Sequence, residues 1–429
     1  MVSADRGGQG RMTSEIAVMS QRCIALAADS AVTLTDGKKV IVRNDQRKLF
    51  DPAPGLPLGV MFFGVADIMG HPWDVLIQHF RKKGWTGAQP HMRDYAAKFT
   101  GMLDGLVEFF PPDHEKDEYT RLVASVFRFV LQLAQFLRDN QTAGQPKLTN
   151  EEIVRQAVGF VWKSYQFLED GKPRSDLTCF PAGFGEKVAR RYADVVEELI
   201  KQGFSSFALD DATRQKLHDI AAFCVAKDLF LEDVTGLVFA GYGSAERYPA
   251  VVTYNVSAVL GGIVKRAEVG VEAIDSEMRS GITLFADCEA TFAFLRGIEL
   301  DLEMRLYGTV QEFNQDLVNQ VLNAVGSLDP AHRESIRRQA QADFLPQYLN
   351  RFHGRLSEYQ QRAYLDPVLH VLEIATRQDM AETAEQLVAL NIFKKRIMAK
   401  QQTVGGAVDV AVISREDGFQ WVKKQGAAS

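Results

Sequence analysis

Cysteine is scarce in this chain of 429 residues, and Cys23, Cys179, Cys224 and Cys288 stand singly. With no C-x-x-C there is neither a zinc-site spacing nor a disulfide framework, so a reducing compartment is expected. No uninterrupted apolar run approaches the ~18 residues of a bilayer-spanning helix, and the first dozen residues carry no hydrophobic segment. Neither membrane insertion nor export is expected, which leaves the cytoplasm. Positive charge is not in excess either. Forty-nine Lys and Arg against 55 Asp and Glu give a net charge of −6, which offers nothing to a nucleic acid. The eight histidines include no H-E-x-x-H. His71 and His79 fall two turns apart on one expected helix, too far to share a metal, and His114 has no second histidine near it. Gly241-Tyr242-Gly243-Ser244 lacks the third glycine of a dinucleotide loop and the trailing glycine of a nucleophile elbow. No metal and no cofactor are expected.

What remains is an ordinary globular composition, 46% apolar and 24% charged, long enough for about two to three domains. The stretch with most chemistry is residues 13–30, TSEIAVMSQRCIALAADS. Ile16, Val18 and Met19 form one apolar run, Ser20 to Arg22 a polar turn, and Cys23 to Ala28 a second run that ends at Asp29. A hairpin of this kind brings Thr13 back beside Asp29. A threonine hydroxyl is a weak nucleophile until a base takes its proton, and an α-amino group on the same residue, of ordinary pKa about 8, can do so. That requires Thr13 to become residue one. A nearby lysine favours the neutral amine and a buried carboxylate holds the lysine, and Lys48 and Asp29 are the candidates.

These residues carry a resemblance. TSEIAVMSQRCIALAADSAVTL, then NDQRKLF at 44–50 and MFFGVAD at 61–67, resembles the opening of a proteasome-type β-subunit, including its bacterial ATP-dependent peptidase relatives. TVGGAVDVAVISREDGFQWV at 403–422 resembles the family's closing strands. The resemblance covers both ends of the chain and leaves the middle foreign. It implies Thr13 as nucleophile, Asp29 and Lys48 as its support, and backbone donors around Phe63 and Gly64 as the oxyanion and substrate-binding strand end. Phe63 replaces a usual glycine and is expected to crowd the pocket.

At 286–288 the family has Gly-Ser-Gly, whose serine touches the catalytic amine, and this chain has Ala286-Asp287-Cys288. Asp287 has two readings, a fourth catalytic residue that holds the amine or the cap of the next helix. Ahead of Gly405, where the family often has an aspartate, stand Gln401, Gln402 and Thr403.

In chain order, residues 1–12 are expected to be a disordered tail, either a propeptide or the result of a start at Met12. Residues 13–85 form the first half of the core, with a turn at Thr35-Asp36-Gly37 and a helix over 68–83 whose stripe is Ile68, Val75, Leu76 and Phe80. Residues 86–232 are a helical insertion. Its periodicity marks Val126, Phe129, Val130, Leu133 and Leu137, then Val154, Val158 and Val161, with helices over 185–201 and 211–229. Residues 233–300 resume the core strands, 301–400 are helical with a packing stripe at Leu387, Leu390, Phe393 and Ile397, and 401–429 close the core.

The expected fold is a four-layer αββα sandwich of two antiparallel sheets, of the N-terminal-nucleophile hydrolase type, with added helices. The resemblance implies amide hydrolysis of a peptide or unfolded protein by a homo-oligomeric ring, with an ATP-dependent unfoldase as candidate partner. Two other readings stand beside it: a proteasome-like scaffold without activity, and an amidase for small substrates.

Overall fold

A computed structural model of the chain describes residues 2–4, 13–36, 39–43, 46–83, 87–140, 148–168, 171–207, 209–231, 234–325, 329–398 and 405–424. Gly37, Gln401, Gln402, Thr403 and most of the expected tail lie outside them. The strands, in chain order, are β1 (Val2–Ala4), β2 (Ser14–Ser20), β3 (Ile24–Asp29), β4 (Val32–Asp36), β5 (Lys39–Arg43), β6 (Leu49–Phe50), β7 (Leu58–Gly64), β8 (Asp67–Ile68), β9 (His71–Pro72), β10 (Thr235–Gly241), β11 (Ala250–Leu260), β12 (Ile263–Ala273), β13 (Ser280–Ala286), β14 (Val408–Ser414) and β15 (Gly418–Lys423). Six form one sheet in the order β1-β13-β2-β3-β14-β15, and five form a second in the order β12-β11-β10-β7-β6. Both are antiparallel except at β1, which runs parallel to β13 with Val2 opposite Ile282. Part of the tail read as disordered is therefore strand, and it pairs an edge of β13 that would otherwise present open N–H and C=O groups.

Strand alternation divides each sheet into two apolar faces. Ala17, Met19, Leu26 and Ala411 of the first sheet share one buried cluster with Met61, Phe63, Val238 and Ala240 of the second. Ile16, Val18, Ala25, Ala27 and Val410, on the opposite face of the first sheet, bury against Met380, Ala384, Leu387 and Val388 of the helix Arg377–Ile397. On the second sheet, Val60, Phe62, Leu237 and Phe239 meet Leu76, Phe80, Tyr95 and Phe99 of the helices Trp73–Lys83 and Met92–Met102. Each of the Val, Leu, Ile, Met and Phe side chains removed from water is worth ~1.5–3 kcal/mol, so these faces pin the register of the strands that carry the site.

The helices between residues 115 and 226 have a core of their own, built on Tyr119, Val126, Val130, Val154, Val158, Val161, Leu217 and Ile220, which reaches the second sheet at Leu260. The buried Lys265 of β12 fastens this block by donating to the carbonyls of Cys224 and Leu229, both at 2.5 Å. Burial pushes its amine down to about 8. The helix Glu115–Asp139 belongs to a longer helical run, 112–139, which contains an 18-residue stretch apolar and long enough to cross a bilayer. One such helix is weak evidence for a membrane, and its Val123, Val126 and Val130 lie in this core.

Several helix readings change. The helix expected over 68–83 begins at Trp73, after the β8–β9 pair, and Val75 is 45% exposed while Trp73 and Ile77 are buried. The helix expected over 185–201 is two, Phe184–Arg191 and Ala193–Gly203. Phe129 is exposed. Phe393 and Ile397 are 58% and 63% exposed, because the buried face of the helix Arg377–Ile397 runs through Met380, Ala384, Leu387, Val388 and Asn391 instead.

Candidate active site

β2 and β3 form the expected hairpin, with Glu15 opposite Ala28 and Met19 opposite Ile24. One step beyond the paired residues, the Ser14 amide donates to Asp29 Oδ1 at 3.1 Å, and the hairpin closes there. Lys48, just ahead of β6, donates to the same Oδ1 at 2.6 Å. Gly405, ahead of β14, gives its N–H to Asp29 Oδ2 at 2.9 Å. Asp29 is thus held by three donors from three separate parts of the chain. Thr13, Asp29 and Lys48 are brought together and are all buried, Thr13 at 4% exposure.

A fourth member went unnoticed in the sequence. The Thr13 hydroxyl donates to Glu15 Oε2 at 3.0 Å, and Glu15 Oε1 lies 3.3 Å from Lys48 Nζ. Residues 13 and 15 are two apart, so strand periodicity puts both on one face of β2, and this is the signal that could have found Glu15. Two carboxylates therefore crowd one ammonium in a dry site. Glu15 yields: burial first, then the neighbouring Asp29, push its carboxyl up to about 8, against the pull of Lys48.

The Asp287 side chain does not cap the next helix, whose N-cap residue is Cys288. The backbone N–H of Asp287 donates to the Thr13 carbonyl at 2.8 Å, while its carboxylate pairs with Lys395 at 2.5 Å. The helix it precedes, Glu289–Arg296, is capped from elsewhere: Asn391 Oδ1 accepts from the amides of Ala290 and Thr291 at 3.0 and 3.1 Å. The amide of Asn391 also donates to Ser14 Oγ at 3.0 Å, and Ser14 Oγ meets Cys288 Sγ at 3.3 Å. Between strand and helix, Ala286 adopts φ +56°, a left-handed conformation that costs a residue with a Cβ ~1–2 kcal/mol. This corner, where the resembled family has glycine, aims the Asp287 amide at Thr13.

Phe63 does not crowd a pocket. Its ring lies in the core between the sheets, stacked 5.6 Å from Phe285, and it occupies the space where a side chain on Gly236 would stand. Gly64 takes φ +85°, and a Cβ there would meet the Val234 carbonyl at 2.4 Å. That close backbone approach by itself requires glycine. Hollows of about 590 and 510 Å³ lie in the helical block, around Phe204 and Phe180, and neither is lined by Thr13. Among the described residues no cluster of His, Cys, Asp and Glu could hold a metal ion.

No family model matches the chain. No curated protein matches it either. Two solved structures align over nearly its whole length: Anbu from Hyphomicrobium sp. strain MC1, covering 95% of this chain and 85% of that one, and its Gly-1 mutant, covering 96% and 85%. Both share 9% identity and give a TM-score of 0.26, a likeness too distant to assign chemistry to any residue here.

Proposed function

We propose that the protein is a proteasome-like threonine hydrolase of the N-terminal-nucleophile type, cleaving peptide amide bonds through Thr13. The observation that carries this reading is the buried chain of contacts at the mouth of one hairpin, in which the Thr13 hydroxyl donates to Glu15, Glu15 lies 3.3 Å from Lys48, and Lys48 is 2.6 Å from Asp29. Thr13 Oγ attacks the scissile carbonyl, the amine freed at Thr13 takes and returns the proton, backbone donors near Gly64 hold the oxyanion, and water releases the acyl-enzyme. Lys48 keeps that amine in its neutral form, and Asp29 keeps Lys48 in place.

A ring of identical subunits in the cytoplasm, fed by an ATP-dependent unfoldase, is the assembly proposed. Its support is the helical arm that follows the core. Along the helix Leu300–Ala324, Leu302, Leu306, Phe313 and Leu317 face solvent, Phe313 at 76% exposure, and Phe344 and Tyr348 are exposed on the return. The first helix has four carboxylates, Asp301, Glu303, Glu312 and Asp316, against one arginine, whereas the return over 330–360 has Arg333, Arg337, Arg338, Arg351 and Arg355 against Glu334, Asp343 and Glu358. An antiparallel pairing of two arms sets opposite charges together and covers the apolar face, which makes a second copy the proposed occupant.

The scaffold reading is favoured by one observation, the burial of Thr13. Hydrolysis of a fluorogenic peptide and of a small amide, with N-terminal sequencing of the same sample, separates the readings. The threonine-hydrolase reading expects peptide turnover, lost in Thr13→Ala, by chains that begin at Thr13. Turnover of the small amide alone indicates an amidase, and turnover unchanged in Thr13→Ala overturns both.

A further inference from the structure

The proposed mechanism gives Thr13 a base only after its amine is freed, yet within the chain that nitrogen is an amide and accepts no proton. Glu15 is not used by that mechanism, although its carboxyl is the group that receives the Thr13 hydroxyl hydrogen bond, at 3.0 Å. We infer that Glu15 is a general base for the Thr13 hydroxyl, so that the nucleophile can be activated whether or not its amine is free. The inference rests on the threonine-hydrolase reading and adds a catalytic residue to it.

Three features support the assignment. The distance and the donor direction are those a general base needs. Both residues are buried, Glu15 fully, so no water layer separates the proton from its acceptor. The Glu15 carboxyl is also held poised, since burial and Asp29 raise it to about 8, near a working pH, and Lys48 keeps it from going higher. The titratable and charged groups facing it are Lys48 and Asp29, with Cys288, whose thiol burial pushes up and whose Sγ lies 3.6 Å from the Glu15 carbonyl. Asp287, beyond Cys288, is paired to Lys395.

For an acyl donor such as a peptide β-lactone the step balances. Thr13 Oγ bonds to the lactone carbonyl carbon, its proton passes to Glu15 Oε2, the ring C–O bond breaks, and the alkoxide released takes the proton back from Glu15.

The test is the rate of Thr13 acylation by a peptide β-lactone between about pH 6 and about pH 9, read by intact mass and peptide mapping, in wild type, Glu15→Gln and Glu15→Asp. Wild-type acylation is expected to rise with pH about a midpoint near 8. Glu15→Gln is expected to slow it ~10²–10⁴-fold and flatten the profile, and Glu15→Asp to restore part of the rate. The folded state of each variant is checked by circular dichroism, and Glu15→Asp carries the comparison if Glu15→Gln does not fold. Acylation of Glu15→Gln at the wild-type rate and pH profile overturns the inference and leaves the hydrolase reading standing. Absence of any Thr13 adduct in the wild type removes the nucleophile, and both readings fail together.

Discussion

At the scale of single residues, the site is one ammonium between two buried carboxylates, and the two are not equivalent. Asp29 accepts three hydrogen bonds, whereas Glu15 has the Thr13 hydroxyl and a longer contact to Lys48. This asymmetry has a consequence for stability. The Glu15 carboxyl sits at about 8 when folded and near the ordinary glutamate value of about 4.3 when unfolded. Between those values the folded state holds a proton that the unfolded state has lost, so the Glu15 contribution is complete below about pH 4 and falls away as pH rises through about 8. Glu15→Gln, which mimics the protonated acid, should therefore melt progressively higher than wild type as pH rises from about 5 to about 9. A melting-temperature difference that does not change with pH contradicts the assignment. Lys48→Met should be costly at neutral pH, by about 3–5 kcal/mol in denaturant unfolding, because it strands the Asp29 carboxylate without its cation. Thr13 and Asp29 were legible as neighbours because a polar turn between two apolar runs fixes a hairpin and its ends, whereas Lys48 lies outside the hairpin and was singled out by the resemblance. Glu15 was legible in principle by strand alternation. Lys395 was not, since nothing local links it to Asp287, 108 positions earlier in the chain.

At the scale of elements, the hairpin is buttressed from the helix Arg377–Ile397 through Asn391, which joins Ser14 to the start of the helix Glu289–Arg296. Asn391→Ala removes a cap and leaves buried partners unpaired, so a loss of about 2 kcal/mol is expected in denaturant unfolding. A loss below ~0.5 kcal/mol would show that the network is not structural. Ala286→Gly should have the opposite sign, since glycine tolerates the left-handed corner, and a gain of ~0.5–1 kcal/mol is expected. The strands were readable because apolar and turn residues alternate clearly. The capping of Glu289–Arg296 was not, since Asp287 satisfies the local capping rule and a lysine 108 positions away claims its carboxylate. The phase of Arg377–Ile397 was misread because the helix is apolar on more than one side, and the buried face through Met380, Ala384, Leu387, Val388 and Asn391 leaves Phe393 and Ile397 in solvent.

At the scale of the whole molecule, two sheets carry the site, a helical block with its own core decorates one of them, and an arm with an exposed apolar stripe extends the other end. The helical character of 86–232 and 301–400 was readable from periodicity. The destination of the arm's apolar face was not, because periodicity gives a face without saying what covers it. If a second copy covers it, light scattering should report an assembly that Phe313→Lys with Leu317→Lys dissociates without lowering the melting temperature of the core. A wild-type monomer contradicts the assembly while leaving the site untouched. Thr13 as the nucleophile is tested by mapping the covalent adduct of a peptide β-lactone on the purified chain, beside Thr13→Ala. A single acyl group on Thr13, absent from the variant, is the expected result. An adduct elsewhere, or none, contradicts the account.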